Sequence, residues 1–582
     1  MNRQAMQVSP QIVEPAAPHD SGEVLLNAFR DLGIEFIISS PGSEWPPLWE
    51  ALARQRRDGR KGPVYIDCGH ETLAVGIAAG ITQITGKMQA VLLHAGPGLA
   101  QGAMAIGSAR DLEIPMLVMS GESSTYGEAG FDPGAQWYRN LSVVGGQQRI
   151  IEPMVKWAQQ VPSSETLHGC VVRAGELAQR VPKGPVYLTV SMDSMMQPAK
   201  QPRQLATPPT PKLRPSAADI GAVVQAIRSA KAPLIAVHNA GADKEAFDAL
   251  VELAECFAIP VTEAPGAYFS NFPKGHDLYL GTNVRPETIG CDLVLLVENA
   301  TPWYPPSNFP EDVAIISISD NALKGHLVYQ QLGASQYLEG HVASTLKLLT
   351  EELRSVGTDV DEIKRRRTHF GSLHETWLAS IADARKRASG NKSITVPLLV
   401  QTLQRVLPDD AAFVDETIVH RPLIREHLEW EKPHVYFRSP TGLGQGVAYA
   451  LGIKQAAPDR TVVMLIGDGT FMYNPIVPAL AYAAEQGLPL LIVVLNNKKY
   501  AVMEELHNRF YPNGTARKED DYYGVHLQDN HYERVASVVD GFSQRVEEIS
   551  DLENAIRNAR SAVADGRTAI LNVIMPEPVP FK

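Results

Sequence analysis

Gly467-Asp468-Gly469 and Asn496-Asn497 are the residues of this chain best suited to holding a charged ligand, and 26 residues separate the two motifs. The apolar run Thr461–Ile466 ends at the first motif, and a second run, Leu490–Leu495, ends at the second. A helical stretch lies between them, so the segment reads as a βαβ unit. Its parallel strands place their carboxyl ends side by side, where open α/β sheets bind ligands. Asp468 and Asn497 then offer oxygen atoms to one hard cation, and the backbone carbonyl of Lys499 adds a third. Mg2+ suits such a set, because it prefers oxygen, takes few protein ligands and completes its octahedron with phosphate and water. Gly469 and the helix start at Thr470 supply unshielded N–H groups for a phosphate oxygen. The plain alternative, a tight βα turn followed by an Asn-rich turn, does not account for both motifs at this spacing.

Such a site needs parallel sheets to carry it. Short β-rich runs alternate with helical patterns nearly throughout the chain. The first block contains Phe36–Ser39, Val64–Asp67, Ala90–Leu93, Pro115–Ser120 and Val186–Val190. A proline cluster (Pro198, Pro202, Pro208, Pro209, Pro211 and Pro215) marks a linker. Pro233–Val237, Leu293–Val297 and Ala314–Ile318 belong to a second block. Lys364-Arg365-Arg366-Arg367 follows it and reads as a solvated helix face rather than an anion patch. The third block carries Ala412–Asp415, Thr461–Gly467, Leu490–Leu495 and Thr568–Ile574. The predicted fold class is α/β, with three consecutive open parallel-sheet domains. Their bounds are 1–195, a linker at 196–215, 216–355, a linker helix region at 356–392, and 393–582. Val75-Gly-Ile-Ala-Ala-Gly80 echoes Gly446-Val-Ala-Tyr-Ala-Leu-Gly452, both small-residue helices that follow a strand, which predicts that the first and third domains are duplicates.

Composition narrows the function. The 582 residues include 53 Lys+Arg and 65 Asp+Glu, a net charge of -12, so no broad basic face for nucleic acid or anionic membrane is expected. One anionic ligand held locally by a metal ion is still allowed. Cys68, Cys170, Cys256 and Cys291 show no CxxC spacing, which argues for a reducing compartment and a cytoplasmic protein. The first twenty residues have no apolar h-region. The longest apolar run, Leu488–Leu495, contains Pro489 and is far short of the ~20 residues that span a bilayer.

GDG followed by NN at this distance resembles the cofactor motif of thiamine diphosphate enzymes. The three blocks together resemble the decarboxylase and acetolactate synthase branch of that family. The resemblance implies a pyrimidine-binding domain, a central domain and a diphosphate-binding domain. It also implies thiamine diphosphate and Mg2+ as cofactors, with Asp468, Asn497 and the Lys499 carbonyl as metal ligands and Gly467, Gly469 and Thr470 around the diphosphate. Glu71, in Cys68-Gly-His-Glu71-Thr-Leu-Ala-Val-Gly, stands where the family carries the glutamate that hydrogen-bonds the aminopyrimidine ring nitrogen. Such a bond lets the exocyclic nitrogen act as a base on the thiazolium C2 proton. Leu443 matches the bulky residue that bends the cofactor, and the backbone of Thr441 matches the acceptor for the pyrimidine amino group. The same stretch almost forms GxGxxG, but Val447 replaces the last glycine, which leaves a dinucleotide site as a weak alternative.

Other residues bear on which member of the family this is. Ser43, in Pro41-Gly42-Ser43, resembles the benzoylformate decarboxylase serine that faces the substrate carboxylate, and His94 matches that enzyme's first active-site histidine. That enzyme's second histidine has no counterpart in Asn299-Ala-Thr-Pro-Trp303-Tyr304. Asn508-Arg509-Phe510-Tyr511 resembles the arm after the NN motif in acetolactate synthase, although Leu506 stands where that enzyme has a tryptophan. The segments that hold FAD there are missing, so FAD is not expected. The reading is an acetolactate-synthase-like carboligase acting on a 2-oxo acid or related carbonyl compound. A simple 2-oxo acid decarboxylase is the first alternative, and a non-catalytic cofactor-binding homologue is the alternative of another class. The resemblance further implies a homodimer or homotetramer in which Glu71 meets the diphosphate motif across a subunit boundary.

Overall fold

The computed structural model describes residues 20–122, 143–198, 207–357 and 359–576. The N-terminal stretch and Pro202 of the proline cluster lie outside them. Three six-stranded sheets follow one another along the chain, and every strand pairing in them is parallel. The first sheet contains β1 Phe36–Ser39, β2 Val64–Asp67, β3 Gln89–Leu93, β4 Met116–Glu122, β5 Trp157–Gln160 and β6 Pro185–Ser191, in the order β2-β1-β3-β4-β6-β5. The second contains β7 Pro233–Val237, β8 Val261–Glu263, β9 Tyr279–Thr282, β10 Leu293–Val297, β11 Ala314–Ser319 and β12 Gln336–Glu339, in the order β12-β11-β10-β7-β8-β9. The third contains β13 Ala412–Glu416, β14 Tyr436–Arg438, β15 Val462–Gly467, β16 Leu491–Asn496, β17 Phe542–Val546 and β18 Ala569–Ile574, in the order β14-β13-β15-β16-β18-β17.

The first and third sheets share one strand order, as the echo between their helices predicts. In each, the order turns between its first and third strands, β1/β3 and β13/β15. Ligands of doubly wound sheets gather beyond the carboxyl ends at such a switch point. The two echoing helices, Glu71–Thr85 and Gly446–Ala456, pack on each other through those small residues. A Cβ on Gly80 would stand 2.8 Å from the Ile453 nitrogen, and one on Gly452 would stand 2.9 Å from the Gly80 Cα. Their contact joins residues of both blocks, such as Ile77, Val91, Leu451 and Ile492, into one hydrophobic core.

The central sheet docks on the third block through buried polar contacts. Arg425 Nη2 lies 2.8 Å from Glu263 Oε2, with both side chains buried, and Arg438 Nη1 donates to the Gly266 carbonyl at 2.9 Å. Removing one partner from a buried ion pair costs about 3–5 kcal/mol, because the other charge is left without an answer. The basic run at 364–367 lies on the helix Val360–Ser389, where Arg365 and Arg366 pair with Glu362 and Arg367 pairs with Asp277. No helix among the described residues is long and apolar enough to cross a membrane.

Candidate active site

The third block builds the acidic end of the site. β15 and β16 run side by side with Gly467 opposite Leu495, so Asp468 and Asn497 leave neighbouring strand ends. Asp468 is buried; its Oδ1 accepts the Gly469 N–H and its Oδ2 accepts the Lys498 N–H, each at 2.7 Å. Lys498 takes a left-handed conformation (φ 58°), which turns the chain back under the carboxylate. Asn496 points into the sheet toward Asn572 at 3.1 Å, while Asn497 Oδ1 accepts the Lys499 N–H at 3.2 Å. Burial pushes the Asp468 carboxyl up to about 6, against several backbone N–H groups that favour the charged form. The Gly469 N–H, expected at a phosphate oxygen, donates to Asp468 in this structure.

The first block builds a second pole at its own switch point. Glu71 opens the helix Glu71–Thr85, capped by His70, whose Nδ1 accepts the Thr72 N–H at 3.2 Å. Gly98 lets the chain pass close by: a Cβ there would lie 3.0 Å from Glu71 Oε1 and 2.8 Å from the His94 Cβ. His94 follows β3, and its Nδ1 lies 2.8 and 3.0 Å from the two oxygens of Glu44, which follows β1. Glu44 is fully buried, with Gly121 of β4 leaving room for its side chain. This hydrogen bond raises the pKa of His94 above the usual imidazole range, with burial opposing it. The sequence reading passes over Glu44. The only signal was its place directly after Ser43, which is exposed.

Where the first and third blocks meet lies a cavity of about 570 Å³. Thr72, Gln101 and Met104 line it from the first block, and Leu443, Gly444 and Tyr473 from the third. The loop carrying Leu443 uses left-handed glycines on both sides, Gly442 (φ 82°) and Gly444 (φ 93°). The Thr441 carbonyl accepts from the Ser108 hydroxyl and from Gln445 Nε2. Both of its lone pairs are therefore engaged, and a pyrimidine amino group would have to displace one of these donors. A larger groove, about 900 Å³, runs along edge strand β2 past Trp49 and Tyr65 and touches the predicted site segments only at Pro41. The helix Ala501–Phe510 has no buried residue, Phe510 and Tyr511 stand exposed, and none of them lines the smaller cavity.

Comparison with known proteins decides the family. Residues 19–148, 220–336 and 420–573 match, in order, the N-terminal TPP binding domain, the central domain and the C-terminal TPP binding domain of the thiamine pyrophosphate enzymes. The chain belongs to this family. This thiamine pyrophosphate enzyme is 26% identical to the benzoylformate decarboxylase of Pseudomonas aeruginosa, over 81% of this chain and 85% of that protein. It is 23% identical to the acetolactate synthase isozyme 3 large subunit of Escherichia coli, over 95% of this chain and 94% of that protein. In fold it is similar to the thiamine diphosphate-dependent 4-hydroxybenzoylformate decarboxylase of Rhodococcus jostii RHA1, with a TM-score of 0.77 at 21% identity, over 96% of this chain and 99% of that one.

The residues present fit the family's cofactors. The described residues contain no group of three or more His, Cys, Asp or Glu that could hold a metal ion. A cation at Asp468 would therefore rely on amide, carbonyl and ligand oxygens, which is how Mg2+ is held beside a phosphate. Among the described residues Asp468 is a buried carboxylate answered only by N–H groups, so a cation would find an unneutralised charge there. The structure brings the start of the Glu71 helix and Leu443 to one cavity within a single chain. Of the predicted site residues, Leu443 is in that lining, whereas Ser43, Glu71, His94, Asp468, Asn497 and the Asn508–Tyr511 arm are not.

Proposed function

We propose that this thiamine pyrophosphate enzyme takes a 2-oxo acid, releases CO2 and completes the reaction with a proton supplied through His94. The Glu44–His94 pair beside Glu71 is the observation that carries the reading. Thiamine diphosphate, when bound, supplies the electron sink for the bond that breaks. Asp468, Asn497 and the Lys499 carbonyl would hold Mg2+ and, with it, the diphosphate. Glu71 would hold a proton at the pyrimidine ring nitrogen, and Leu443 would set the bend between the two rings. With Nδ1 held by Glu44, Nε2 is the His94 nitrogen left to give or take a proton. Closure of the first block over the third keeps bulk water from competing for that step.

Carboligation is the second reading. The match to acetolactate synthase over nearly the whole chain supports it, as does the Asn508–Tyr511 arm. Incubating the protein with thiamine diphosphate, Mg2+ and a panel of 2-oxo acids separates the cases. CO2 with aldehyde supports a decarboxylase, and CO2 with acyloin or acetohydroxy acid supports a carboligase. Neither product from any acid, with the cofactor bound, would show a non-catalytic homologue. A cytoplasmic homodimer or homotetramer completes the proposal.

A further inference from the structure

Glu416 ends β13, directly across the switch point from Asp468, and neither the motif nor the proton-transfer argument gives it a role. It is 1% exposed, and no cation pairs with it among the described residues. Burial pushes its carboxyl up to about 7, against the N–H groups of Asn474, Gln445, Gly446 and Gly444 that favour the charged form. Both of its carboxylate oxygens accept hydrogen bonds. Oε1 accepts the N–H of Gly444 at 3.0 Å and of Gln445 at 2.9 Å, and Oε2 accepts the side-chain amide of Asn474 at 2.6 Å. Its backbone carbonyl accepts the Thr470 hydroxyl at 2.9 Å. Asn474 in turn accepts the Val447 N–H at 3.2 Å and donates to the Thr470 carbonyl at 2.9 Å.

Two segments that would grip opposite ends of one cofactor thus converge on a single residue, the loop through its side chain and the turn through its backbone carbonyl and Asn474. The loop Thr441–Gln445 holds Leu443 between left-handed glycines, a conformation with little stiffness of its own. The turn Asp468–Thr470 carries the metal-ligand carboxylate. We propose that Glu416 is a positioning residue that fixes the Leu443 loop relative to the Asp468–Thr470 turn and so sets the bend and reach of the bound thiamine diphosphate. The inference rests on the cofactor assignment above and adds to it the group that sets the spacing between its two grips.

Amide hydrogen exchange of the cofactor-free protein tests the clamp without relying on activity. Glu416→Ala should release the Gly444 and Gln445 amides, raising their exchange by about tenfold or more, and weaken thiamine diphosphate binding by a similar factor. Glu416→Gln keeps an oxygen for both N–H groups, so protection should return to within about threefold of wild type. Asn474→Ala should leave those amides protected yet still weaken cofactor binding, because it severs only the second arm. If Glu416→Ala does not fold, the Gln and Asn474 variants carry the same comparison. Unchanged amide protection and unchanged binding in a folded Glu416→Ala protein would overturn the clamp. So would Glu416→Gln exchanging these amides as fast as Glu416→Ala. Failure of the wild-type protein to bind thiamine diphosphate with Mg2+ would instead overturn the cofactor assignment, with the amide result standing apart.

Discussion

At the scale of single residues, His94 is governed by one buried neighbour. Glu44 straddles Nδ1 with both oxygens, which fixes the ring and raises its pKa. A histidine whose folded pKa is raised adds stability that is fully present below its unfolded value and is lost as pH rises through the folded one. Glu44→Gln should therefore lower the His94 pKa, flatten the part of the stability–pH curve above about 6.5, and move the alkaline limb of the reaction to lower pH. An NMR titration of the imidazole ring checks the first effect, and a titration curve that does not move would remove Glu44 from this role. Glu71→Gln keeps the side chain's size but cannot stabilise a protonated ring nitrogen. Hydrogen–deuterium exchange at C2 of bound thiamine diphosphate should slow by about 10²–10⁴-fold while cofactor binding changes far less. Asp468→Ala, by contrast, should abolish retention of the cofactor on gel filtration with Mg2+, since the diphosphate loses its bridge to a chain of net charge -12.

Among the elements, the contact between the helices Glu71–Thr85 and Gly446–Ala456 decides whether the cavity exists. Gly452 lies so close to the facing helix that any side chain there must push it away. Gly452→Val should cost about 1–3 kcal/mol or more in urea unfolding, the range for overpacked cores. The same change should weaken cofactor binding, since both helices begin at the cavity; a variant as stable as wild type would show that the helices yield freely. Strands of the sheet interiors were the easiest elements to read. Phe36–Ser39, Pro233–Val237 and Leu293–Val297 match their predicted bounds because each is a short apolar or β-branched run. β5 and β17, Trp157–Gln160 and Phe542–Val546, escape notice because they are edge strands, half-covered and rich in Gln, Ser and Arg. Edge positions do not demand an apolar run, so the period of the pattern says little there.

On the scale of the whole molecule, the surfaces that meet are the first and third blocks, and in this structure they meet within one chain. The family resemblance implies that they meet between two copies, and we carry that assembly as a proposal. An isologous pair repeats every contact, so a mixed dimer of Glu71→Gln and Asp468→Ala chains would hold one site with both lesions and one with neither. Equal mixing with free exchange should then restore about a quarter of the wild-type sites. An inactive mixture, with exchange demonstrated by mass, would show that each chain closes its own site.

The sequence by itself determined what is local. The GDG and NN motifs lie within one βαβ unit, and parallel pairing of adjacent strands leaves them no choice but to share a sheet edge. The three-block order and the duplicated pattern of the first and third blocks are legible for the same reason: each strand declares itself over a few residues. Only the tertiary structure decided the rest. Glu44 reaches His94 across the β1/β3 switch point, and Ser108 reaches the Thr441 carbonyl from another domain. Glu416 gathers Gly444, Gln445 and Asn474 from separate loops. Such contacts depend on the angle at which each loop leaves its strand, and on which helix faces which. Those are set by packing between residues hundreds of positions apart, which no periodicity or motif spacing records.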